Sequence, residues 1–412
     1  PTQDMILGSY YLTHPGDENR STPAEKGDGK IFTDFDEMMM AYTTHVVGIH
    51  AKVKVRMKLS PDDPGKLVES TVGRFIFNQK IPQDLGFVDR SVDPYGVDFL
   101  CGKKKLGEII GKCYKAHGNT GTAEMLDYIK STGYHYSTIA AITISVSDME
   151  IPKSKPAIIA EANNLVDRYQ TAYRRGLMSN EERYEKVVET WNNTTERIAD
   201  ELMDSLGALN NLFIMAHSGA RGSKNQIKQV GGMRGLMANA PGKTIEIPIT
   251  ANFREGLSIL DYFVSSNGAR KGLSDTALRT ADSGYLTRRL VDVSHNVIVR
   301  ELDCGTEEGI IVKAFAEGKE IIESLKLRIT GRTALDDIYD PNTGKLLVSK
   351  GDEITDAQAE AVENAGIESV RIRSVMTCQS QVGVCAKCYG RCLATGESVN
   401  IGEAVGIQAA QS

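Results

Sequence analysis

The feature that most constrains how this chain can fold is a group of cysteines close to its C-terminal end. Cys385-x-x-Cys388 follows Cys378 by seven residues. A tight turn in such a segment points both sulfurs to one side, where they can bind one tetrahedral metal ion. A structural ion needs four ligands, and the fourth could come from the nearby Cys392 or from the distant Cys304. Spacing alone favours Cys392, because no long loop then has to be closed.

A redox dithiol is the competing interpretation of the same CxxC segment. In thioredoxin-like proteins the pair lies at the junction of a strand and a helix, and the sequence around Cys385 does not predict that arrangement. Metal binding is therefore favoured. Cys101 and Cys113 lie in an apolar run with helical spacing, which predicts that both are core residues.

Length, composition and charge exclude several classes of protein. A chain of 412 residues is too long for one ordinary core, so roughly two to four domains are expected. No run approaches the roughly 18 apolar residues of a membrane span, and the N-terminus lacks a signal-peptide pattern, so a cytoplasmic location is expected. The net charge of −6 argues against a protein held on nucleic acid by bulk electrostatics, and any such contact must be local.

Residues 1–155 predict an α+β region. Short runs such as the one from His50 to Arg56 alternate apolar and charged residues, and Gly and Pro separate these runs. Alternation of this kind indicates strands that are buried on one face.

Residues 156–206 predict a helical hairpin. Apolar residues recur there at three- and four-residue steps on both sides of Gly176. Ser179-x-x-Glu182 predicts the capping box that starts the second helix. Charged residues at the outer positions favour a hairpin that protrudes over one that lies inside a core.

Residues 207–250 contain a segment rich in Gly, Arg and Lys, HSGARGSKNQIKQVGGMRGLMANAPG, at positions 217–242. Glycine lets the backbone approach a ligand, and the planar fork of arginine suits phosphate. The signal is weak by itself, because a basic, Gly-rich segment is more often an ordinary loop.

Residues 251–300 predict helical structure. Asn252-x-x-Glu255 predicts the cap of a helix that runs through Val264, and Asn267-Gly268 predicts the end of that helix. Beyond this end, five residues fall on one face of a further helix at three- and four-residue spacing. These residues, here called the strip, are Ala277, Thr280, Ala281, Gly284 and Arg288.

The strip is nearly free of large side chains, and this has two interpretations. It could pack closely against a neighbouring helix, with arginines extending to solvent at its edges. Alternatively, it could leave room for a flat base pair while the cations contact phosphates. The residues alone favour helix packing. The flanking cations are Arg270, Lys271, Arg279, Arg288 and Arg289.

Residues 301–395 combine the cysteines with an inserted module that runs from about Gly309 to Arg373. Its pattern predicts a turn, a strand, a helix capped by Thr355, a C-terminal cap at Gly366, and a second strand. This is a compact α+β module with no recognisable chemistry of its own.

Several long segments together resemble one family. PITANFREGLSILDYFVSSNGARKGLSDTALRTADSGYLTRRLVDVSHNVIV is similar, almost residue for residue, to the bridge-helix region of the largest (beta-prime) subunit of bacterial-type DNA-directed RNA polymerase. PTQDMILGSYYLT, SGARGSKNQIKQVGGMRGLMA, DCGTEEGI, GVCAKCYGR and GEAVGIQAAQS resemble the same subunit in the same order. The resemblance covers essentially the whole chain. Because Pro1 has no Met before it and Ser412 ends an apolar run, we expect a piece of a longer protein.

The resemblance implies a mixed α/β multidomain chain of six segments. These are an α+β region lining the pore and secondary channel (1–155), a protruding rim helical hairpin (156–206), a Gly/Arg-rich region supporting the bridge helix (207–250), the bridge-helix region (251–300), a zinc-binding region with an inserted α+β module (301–395), and the start of the trigger-loop helix (396–412).

The resemblance also implies a ligand set and a longer helix. Zinc would be held by four cysteines, which clip the inserted module shut and leave Cys392 outside the site. A single bridge helix would run from about Ile259 to Val293, with Gly268 and Gly272 as a bendable segment. This implication replaces the helix end predicted at Asn267-Gly268. The implied zinc ligands are Cys304, Cys378, Cys385 and Cys388.

The same resemblance implies roles for individual residues. Thr280 and Ala281 would face the base pair at the active centre, and Tyr285 and Arg288 would lie near template DNA. Arg221 would reach the triphosphate of the incoming nucleotide. Bending of the helix would move the nucleic acid forward by one step. The residues implied in nucleic-acid contact and translocation are Arg270, Lys271, Thr280, Ala281, Tyr285 and Arg288.

The magnesium motif of the family, Asn-Ala-Asp-Phe-Asp-Gly-Asp, does not occur in the sequence. Asp34-Phe35-Asp36-Glu37 matches only part of it and is predicted to be a surface segment. Since phosphoryl transfer of this type needs carboxylates that hold magnesium, we expect no catalytic residue in this chain and no polymerisation by the chain alone. The catalytic magnesium would have its ligands elsewhere.

The implied partners are those of a multi-subunit polymerase: the beta subunit, an alpha dimer, omega, a sigma factor, template DNA, nascent RNA, nucleoside triphosphates and channel-binding transcription factors. The implied location is the cytoplasm, in association with the nucleoid, with no membrane partner. A rival hypothesis is a noncatalytic zinc scaffold that occupies a polymerase surface. Such a scaffold is expected to lose the strip of small residues, which is intact here.

Overall fold

The structure, a computed structural model, describes residues 1–16, 25–58, 65–87, 98–239, 241–317, 320–341, 343–392 and 394–412. The chain divides into two compact units, Pro1–Lys271 and Gly272–Ser412. Among the helices in these ranges, none combines the length and the apolar character that crossing a membrane requires.

The first unit contains helices, a small sheet and irregular segments. Its helices are α1 (Asp4–Thr13), α2 (Phe35–Thr43), α3 (Val72–Asn78), α4 (Lys103–Ala140), α5 (Lys155–Arg174), α6 (Asn180–Ser205), α7 (Asn211–His217) and α8 (Lys224–Ile227), with a 3-10 turn at Val146–Asp148 and a π-helical turn at Lys228–Gly232. Its strands are β1 (Ile31–Phe32), β2 (Lys52–Met57) and β3 (Lys66–Thr71).

The sheet confirms the strand that the alternating sequence predicts. β2 lies between β1 and β3, parallel to the first and antiparallel to the second. Val53 and Val55 are fully buried, whereas Lys52 and Arg56 are exposed. Because successive side chains of a strand point to opposite faces, this pattern places one face of β2 in the core. Cys101 and Cys113 are buried in the same core, as predicted.

The crossing of α1 with α4 depends on glycine. A Cβ on Gly8 would lie 1.8 Å from the carbonyl oxygen of Gly133, and a Cβ on Gly133 would lie 2.7 Å from that of Met5. The two backbones therefore touch, which only glycine permits. α4 itself is interrupted at Gly118, whose φ of +66° is not helical.

The predicted hairpin is confirmed as the helices α5 and α6. Gly176 between them has a φ of +71°, and the Ser179 side chain accepts a hydrogen bond from the backbone amide of Glu182 at 3.1 Å. The buried residues that join the two helices include Ile158 and Trp191, and Met233 from the following loop completes this cluster. The hairpin thus has its own core.

The loop after the π-helical turn contacts both the hairpin and the helix that follows. The Arg183 guanidinium forms a two-pronged ion pair with Glu246, at 2.6 and 3.0 Å, and the Tyr184 hydroxyl donates to the carbonyl of Thr244 at 3.1 Å. On the other side, a Cβ on Gly268 would lie 3.3 Å from the Met237 side chain. The loop therefore contacts α6 on one side and lies close to Gly268 on the other.

The helix predicted from Asn252 to Asn267-Gly268 is wrong at both ends. Asn252 is fully buried, and its amide donates to the carbonyls of Gly231 and Gly232 at 3.0 and 3.1 Å. Its side-chain oxygen accepts from the Glu255 amide at 2.8 Å, so this capping pattern closes a turn rather than starting a helix. The helix, α9, runs from Ile259 to Ser294, capped by Ser258.

α9 continues through Gly268 because glycine weakens a helix by only about 1 kcal/mol relative to alanine and does not forbid it. The continuous helix has the extent that the family resemblance implies, about Ile259 to Val293.

The second unit contains short strands and short helices after α9. The strands are β4 (Val299–Glu301), β5 (Ile310–Lys313), β6 (Phe315–Glu317), β7 (Glu320–Glu323), β8 (Ile338–Tyr339), β9 (Leu346–Val348), β10 (Ser369–Ile372) and β11 (Val384–Cys385). The helices are α10 (Leu325–Ile329), α11 (Asp356–Asn364), α12 (Ala386–Tyr389) and α13 (Val405–Gln411), with a 3-10 turn at Val375–Thr377.

The predicted α+β module is confirmed within this unit. β5 and β10 pair in antiparallel fashion, with Val312 opposite Val370. Thr355 and Gln358 form a reciprocal capping box at the start of α11, and Gly366 follows its end with a φ of +75°. The core of the module is formed by Val312, Leu325, Ile329, Ala334, Ile338, Val348, Ile354, Ala359, Val362, Val370 and Ile372.

The α1–α4 crossing yields a stability prediction. Gly133→Ala should lower the free energy of unfolding by about 1–3 kcal/mol, because the new methyl group overlaps the backbone of α1. Gly107→Ala in the same helix is the matched control, since nothing lies within 4 Å of its Cβ position. The control should be neutral or stabilising by up to about 1 kcal/mol. Urea denaturation of both variants measures the difference, and equal stabilities would contradict the close crossing.

Candidate metal centre and helix surface

The four cysteines of the candidate metal centre are brought together by two short strands. β4 and β11 pair in parallel, with Val299 opposite Val384. A Cβ on Gly383 would lie 2.2 Å from the carbonyl oxygen of Ile298, so this approach requires glycine there. Cys304 follows β4, and Cys385 ends β11. The pairing therefore juxtaposes residues that are distant in the sequence.

Backbone amides orient the sulfurs around the CxxC turn. The Cys385 Sγ accepts a hydrogen bond from the amide of Cys388 at 3.3 Å, which caps the short helix α12. The Cys378 Sγ accepts from the amide of Cys385 at 3.4 Å. The CxxC segment thus acts as the turn that the spacing predicts, with both sulfurs on one side.

The four sulfurs have the separations that a tetrahedral ion requires. All lie within 4.8 Å of one another, and the Cys304 Sγ is 3.7 Å from that of Cys388 and 3.8 Å from that of Cys378. Zinc–sulfur bonds of about 2.3 Å place tetrahedral ligands about 3.8 Å apart. The donor set of Cys304, Cys378, Cys385 and Cys388 therefore fits a metal ion.

Cys392 is not part of this group, and the prediction that spacing alone favoured is wrong. Its side chain is buried in an apolar cluster with Val299, Val384 and Val405. The spacing argument assumed that closing a long loop is unfavourable, whereas strand pairing has already closed the loop to Cys304.

One arginine, which sequence analysis missed, lies against the sulfurs. The Arg373 side chain is only 5% exposed, and its Nη1 donates to Asp303 at 2.7 Å. Its Nη2 lies 3.2 Å from the Cys304 Sγ and 3.3 Å from that of Cys388. Lys387 forms a second ion pair with Asp303 at 3.2 Å. The only sequence signal for this role was a basic residue directly after a strand of the inserted module.

Burial and charge act differently on the groups of this centre. Burial raises the pKa of the Cys388 thiol and of the Cys385 thiol. Burial also tends to raise the pKa of Cys304, but hydrogen bonds from the backbone amides of Gln379 and Thr306 outweigh it and lower the pKa to about 6. Since buried thiols resist ionisation, a bound cation is what would favour the thiolate forms of Cys385 and Cys388.

Asp303 is the anion that holds the cations of the centre. Burial tends to raise its pKa, but hydrogen bonds from the Gly305 amide, Arg373 and Lys387 outweigh it and lower the pKa to about 2. The carboxylate is therefore ionised at neutral pH and stays paired with the Arg373 guanidinium.

The surface of α9 is the second candidate site. Only Ser265 is buried among its 36 residues. All five residues of the strip are exposed, and no atom lies within 4 Å of the Cβ position of Gly284. Within the second unit, no described helix therefore packs on the strip, so the helix packing that the residues alone favoured is not observed there.

The cations and the aromatic residue beside the strip are accessible as well. Tyr285 is 61% exposed, and the Arg289 guanidinium lies 4.7 Å from the centre of its ring. Arg288 and Arg270 are exposed, and Lys271 is half-buried. The Thr280 hydroxyl donates to the carbonyl of Thr276 at 2.8 Å, so its hydrogen is satisfied within the helix.

Arg221 lies in the first unit, in the loop between α7 and α8. It is exposed, and its Nη2 donates to the side-chain oxygen of Gln3 at 2.8 Å. Gly219 and Gly222, with φ values of +73° and +80°, shape the loop around it.

Comparisons with known proteins agree with one another along the chain. Three families match: RNA polymerase Rpb1, domain 3, over residues 1–149; domain 4 over residues 169–254; and domain 5 over residues 256–412. The "DNA-directed RNA polymerase subunit beta'" of Alkaliphilus metalliredigens is 64% identical over 414 residues, and that of Clostridioides difficile is 59% identical. Each alignment covers 100% of this chain and 35% of the relative, so the chain spans about a third of the length of these curated relatives.

The metal centre yields a prediction that separates Cys304 from Cys392. Purified chain should contain about one metal ion per chain, and Cys304→Ser should lose most of it, because three thiolates bind a structural ion less tightly than four. Cys392→Ser is the matched control and should retain the ion. Elemental analysis by mass spectrometry after dialysis gives the metal content. Equal loss from both variants would show that the geometric cluster does not define the ligands.

Proposed function

Because the chain belongs to the largest-subunit family of DNA-directed RNA polymerase, represented in bacteria by subunit beta', we propose that it acts within a multi-subunit enzyme that transcribes DNA into RNA. The reaction is transfer of nucleotides from ribonucleoside triphosphates to the growing 3′ end of RNA. The proposed contribution of this chain is positioning of nucleic acid and nucleotide, while magnesium, bound elsewhere in the enzyme, supplies charge stabilisation for phosphoryl transfer.

The observation that carries this proposal is the exposed strip on α9. Most helices of soluble proteins are stabilised by packing an apolar face, and α9 buries only Ser265 within its own chain. Large apolar side chains such as Leu273 and Leu278 are 76% and 66% exposed. Such a helix is expected to be covered by other molecules. The small strip suits a flat base pair, and the flanking arginines suit phosphates.

We assign α9 the role of the bridge helix. Thr280 and Ala281 face the terminal base pair, and Tyr285 and Arg288 contact template DNA. Arg270 and Lys271 contribute to nucleic-acid contact near the bendable segment. The support for this bend is that Gly268 and Gly272 lie within the helix, where glycine lowers helix stability.

Arg221 is proposed to bind the triphosphate of the incoming nucleotide. Its guanidinium is exposed, and its one described hydrogen-bond partner is the neutral side chain of Gln3, so its charge is not neutralised by a described carboxylate. A planar guanidinium can donate two parallel hydrogen bonds to phosphate oxygens.

The metal centre is proposed to hold a structural zinc ion. Four sulfur donors complete a tetrahedron and leave no open position for a substrate, which is typical of structural rather than catalytic zinc. Bonding of Cys304 and Cys378 to one ion closes the segment that contains the α+β module.

The hairpin of α5 and α6 is proposed to form the rim of the channel through which nucleotides enter and to bind channel-binding transcription factors. Its support is the line of exposed charged residues on the outer face, including Glu181, Glu185 and Glu189. The other proposed partners are the beta subunit, an alpha dimer, omega, a sigma factor, template DNA and nascent RNA.

Filling the strip tests the role of α9. In the assembled polymerase, Ala281→Leu should slow RNA elongation by roughly 10- to 100-fold, because the added side chain displaces the base pair from its reactive position. Ser283→Leu places the same side chain on another face of the helix and should leave elongation near the wild-type rate. Single-nucleotide addition on a defined template measures both. If Ala281→Leu elongated RNA at the wild-type rate, the proposal that the base pair lies against the strip would be rejected.

Removing the charge of Arg221 tests the proposed nucleotide contact. Arg221→Ala should raise the KM for nucleoside triphosphates by roughly 10- to 100-fold, since a hydrogen bond to a charged group contributes about 1.5–3 kcal/mol. Lys224→Ala is the control, because the ammonium of Lys224 already pairs with Asp200 and Glu196. Steady-state elongation at varied nucleotide concentration gives the KM. The same KM in both variants would reject the contact.

A further inference from the structure

Arg373 contacts three of the four sulfurs at once. Its Nη2 lies 3.2, 3.6 and 3.3 Å from the Sγ atoms of Cys304, Cys385 and Cys388. The side chain is 5% exposed, so these contacts form in a region that excludes most water. The guanidinium therefore contacts the face of the cluster that these three sulfurs form.

We propose that Arg373 is a positioning residue that stabilises the zinc–thiolate centre by offsetting its negative charge. This inference rests on the zinc site proposed above. Four thiolates around a zinc dication carry roughly two excess negative charges, which are unfavourable when buried. A buried cation in hydrogen-bond contact with the sulfurs reduces this cost. The centre then keeps its metal more firmly.

The surroundings of Arg373 hold its guanidinium in place. Nη1 donates to the Asp303 carboxylate at 2.7 Å, and that carboxylate is itself fixed by Lys387 and by the amide of Gly305 at 2.9 Å. The backbone amide of Arg373 donates to the carbonyl of Thr333 at 2.9 Å. Both ends of the residue are therefore fixed, and Nη2 is directed to the sulfurs.

The shape of arginine matters as well as its charge. Its planar fork presents separate nitrogens to Asp303 and to the sulfurs, whereas a lysine ammonium has a single nitrogen. The Nε–H of Arg373 is buried and has no hydrogen-bond partner among the described residues. The position of the guanidinium is thus set by its contacts with the carboxylate and the sulfurs, at the cost of one unsatisfied donor.

Arg373 also couples the metal to the inserted module. It directly follows β10, which pairs with β5 in the module core. Arg373 thus lies in the segment between Cys304 and Cys378, which the zinc ion closes. This segment therefore contains the guanidinium that stabilises the zinc centre. Loss of the module fold should remove this cation from the sulfurs.

Zinc release from the full chain tests the proposal. Arg373→Gln should release zinc to a chromogenic chelator roughly 10 to 100 times faster than the wild type, because loss of a residue that supports metal ligands typically weakens metal affinity by about that factor. Arg373→Lys should lie between them, because it keeps the charge and loses the fork. Arg371→Gln is the matched control: Arg371 lies two residues away, is 45% exposed and pairs with Asp336 at 2.9 Å. Its zinc release should equal that of the wild type.

A spectroscopic measurement separates a local effect from misfolding. In the cobalt-substituted chain, Arg373→Gln should shift the sulfur-to-cobalt charge-transfer band, because the sulfurs lose a hydrogen-bond donor, and Arg371→Gln should not. If Arg373→Gln does not fold, Asp303→Asn provides the second variant. It retains the arginine and removes the anion that orients it, so zinc release should again accelerate.

The outcomes distinguish this inference from the proposed zinc site. A wild-type chain without zinc would overturn the proposed site itself. A wild-type chain with zinc, together with identical release rates and identical cobalt spectra for Arg373→Gln and Arg371→Gln, would leave the zinc site intact and overturn the role of Arg373.

Discussion

The parallel pairing of β4 with β11 is the contact on which the second unit depends. It places Cys304 beside Cys388, 84 residues later, before any metal bond is considered. The entropic cost of closing such a loop grows only slowly with its length, so reaching Cys304 costs little more than closing a much shorter loop. Gly383 makes the contact possible, since a Cβ there would lie 2.2 Å from a carbonyl oxygen of the neighbouring strand. The metal centre, the contact of Arg373 with the sulfurs and the ends of the inserted module all follow from this pairing.

The hairpin of α5 and α6 and the helix α9 differ in how much of their apolar surface is buried within the chain. The hairpin of α5 and α6 buries its own apolar face, with Trp191 and Ile198 in its core, so its fold is explained within the chain. α9 has no such core, and Leu273 and Leu278 remain exposed. A helix of 36 residues with only Ser265 buried lacks the tertiary packing of an apolar face that provides most helical stability in proteins. The apolar surface of α9 therefore remains unburied within the chain itself.

Local sequence patterns predicted the structure correctly where the contacts that determine it lie within a few residues. The caps at Ser179 and Thr355, and the alternation in β2, act within a few residues and were predicted from the sequence. Asn252-x-x-Glu255 has the same local pattern, yet the Asn252 side chain bonds the carbonyls of Gly231 and Gly232, so a distant contact turned a predicted helix start into a loop. The fourth cysteine and Arg373 depend on strand pairing across the module. Periodicity and spacing contain no information on such pairing. The family resemblance implied Cys304 as the fourth ligand, but it did not indicate a role for Arg373.

The first turns of α9 show how a distant element can determine a local conformation. Asn267-Gly268 is typical of a helix end, but the Met237 side chain lies against Gly268, where a Cβ would come within 3.3 Å of it. The loop that carries Met237 is fixed to the hairpin by the ion pair of Arg183 with Glu246. Glycine at position 268 thus allows close packing against the end of the Met237 side chain and does not form a turn, and the helix continues because its backbone hydrogen bonds are not interrupted. The same residue that weakens α9 intrinsically leaves room for the Met237 side chain beside the helix.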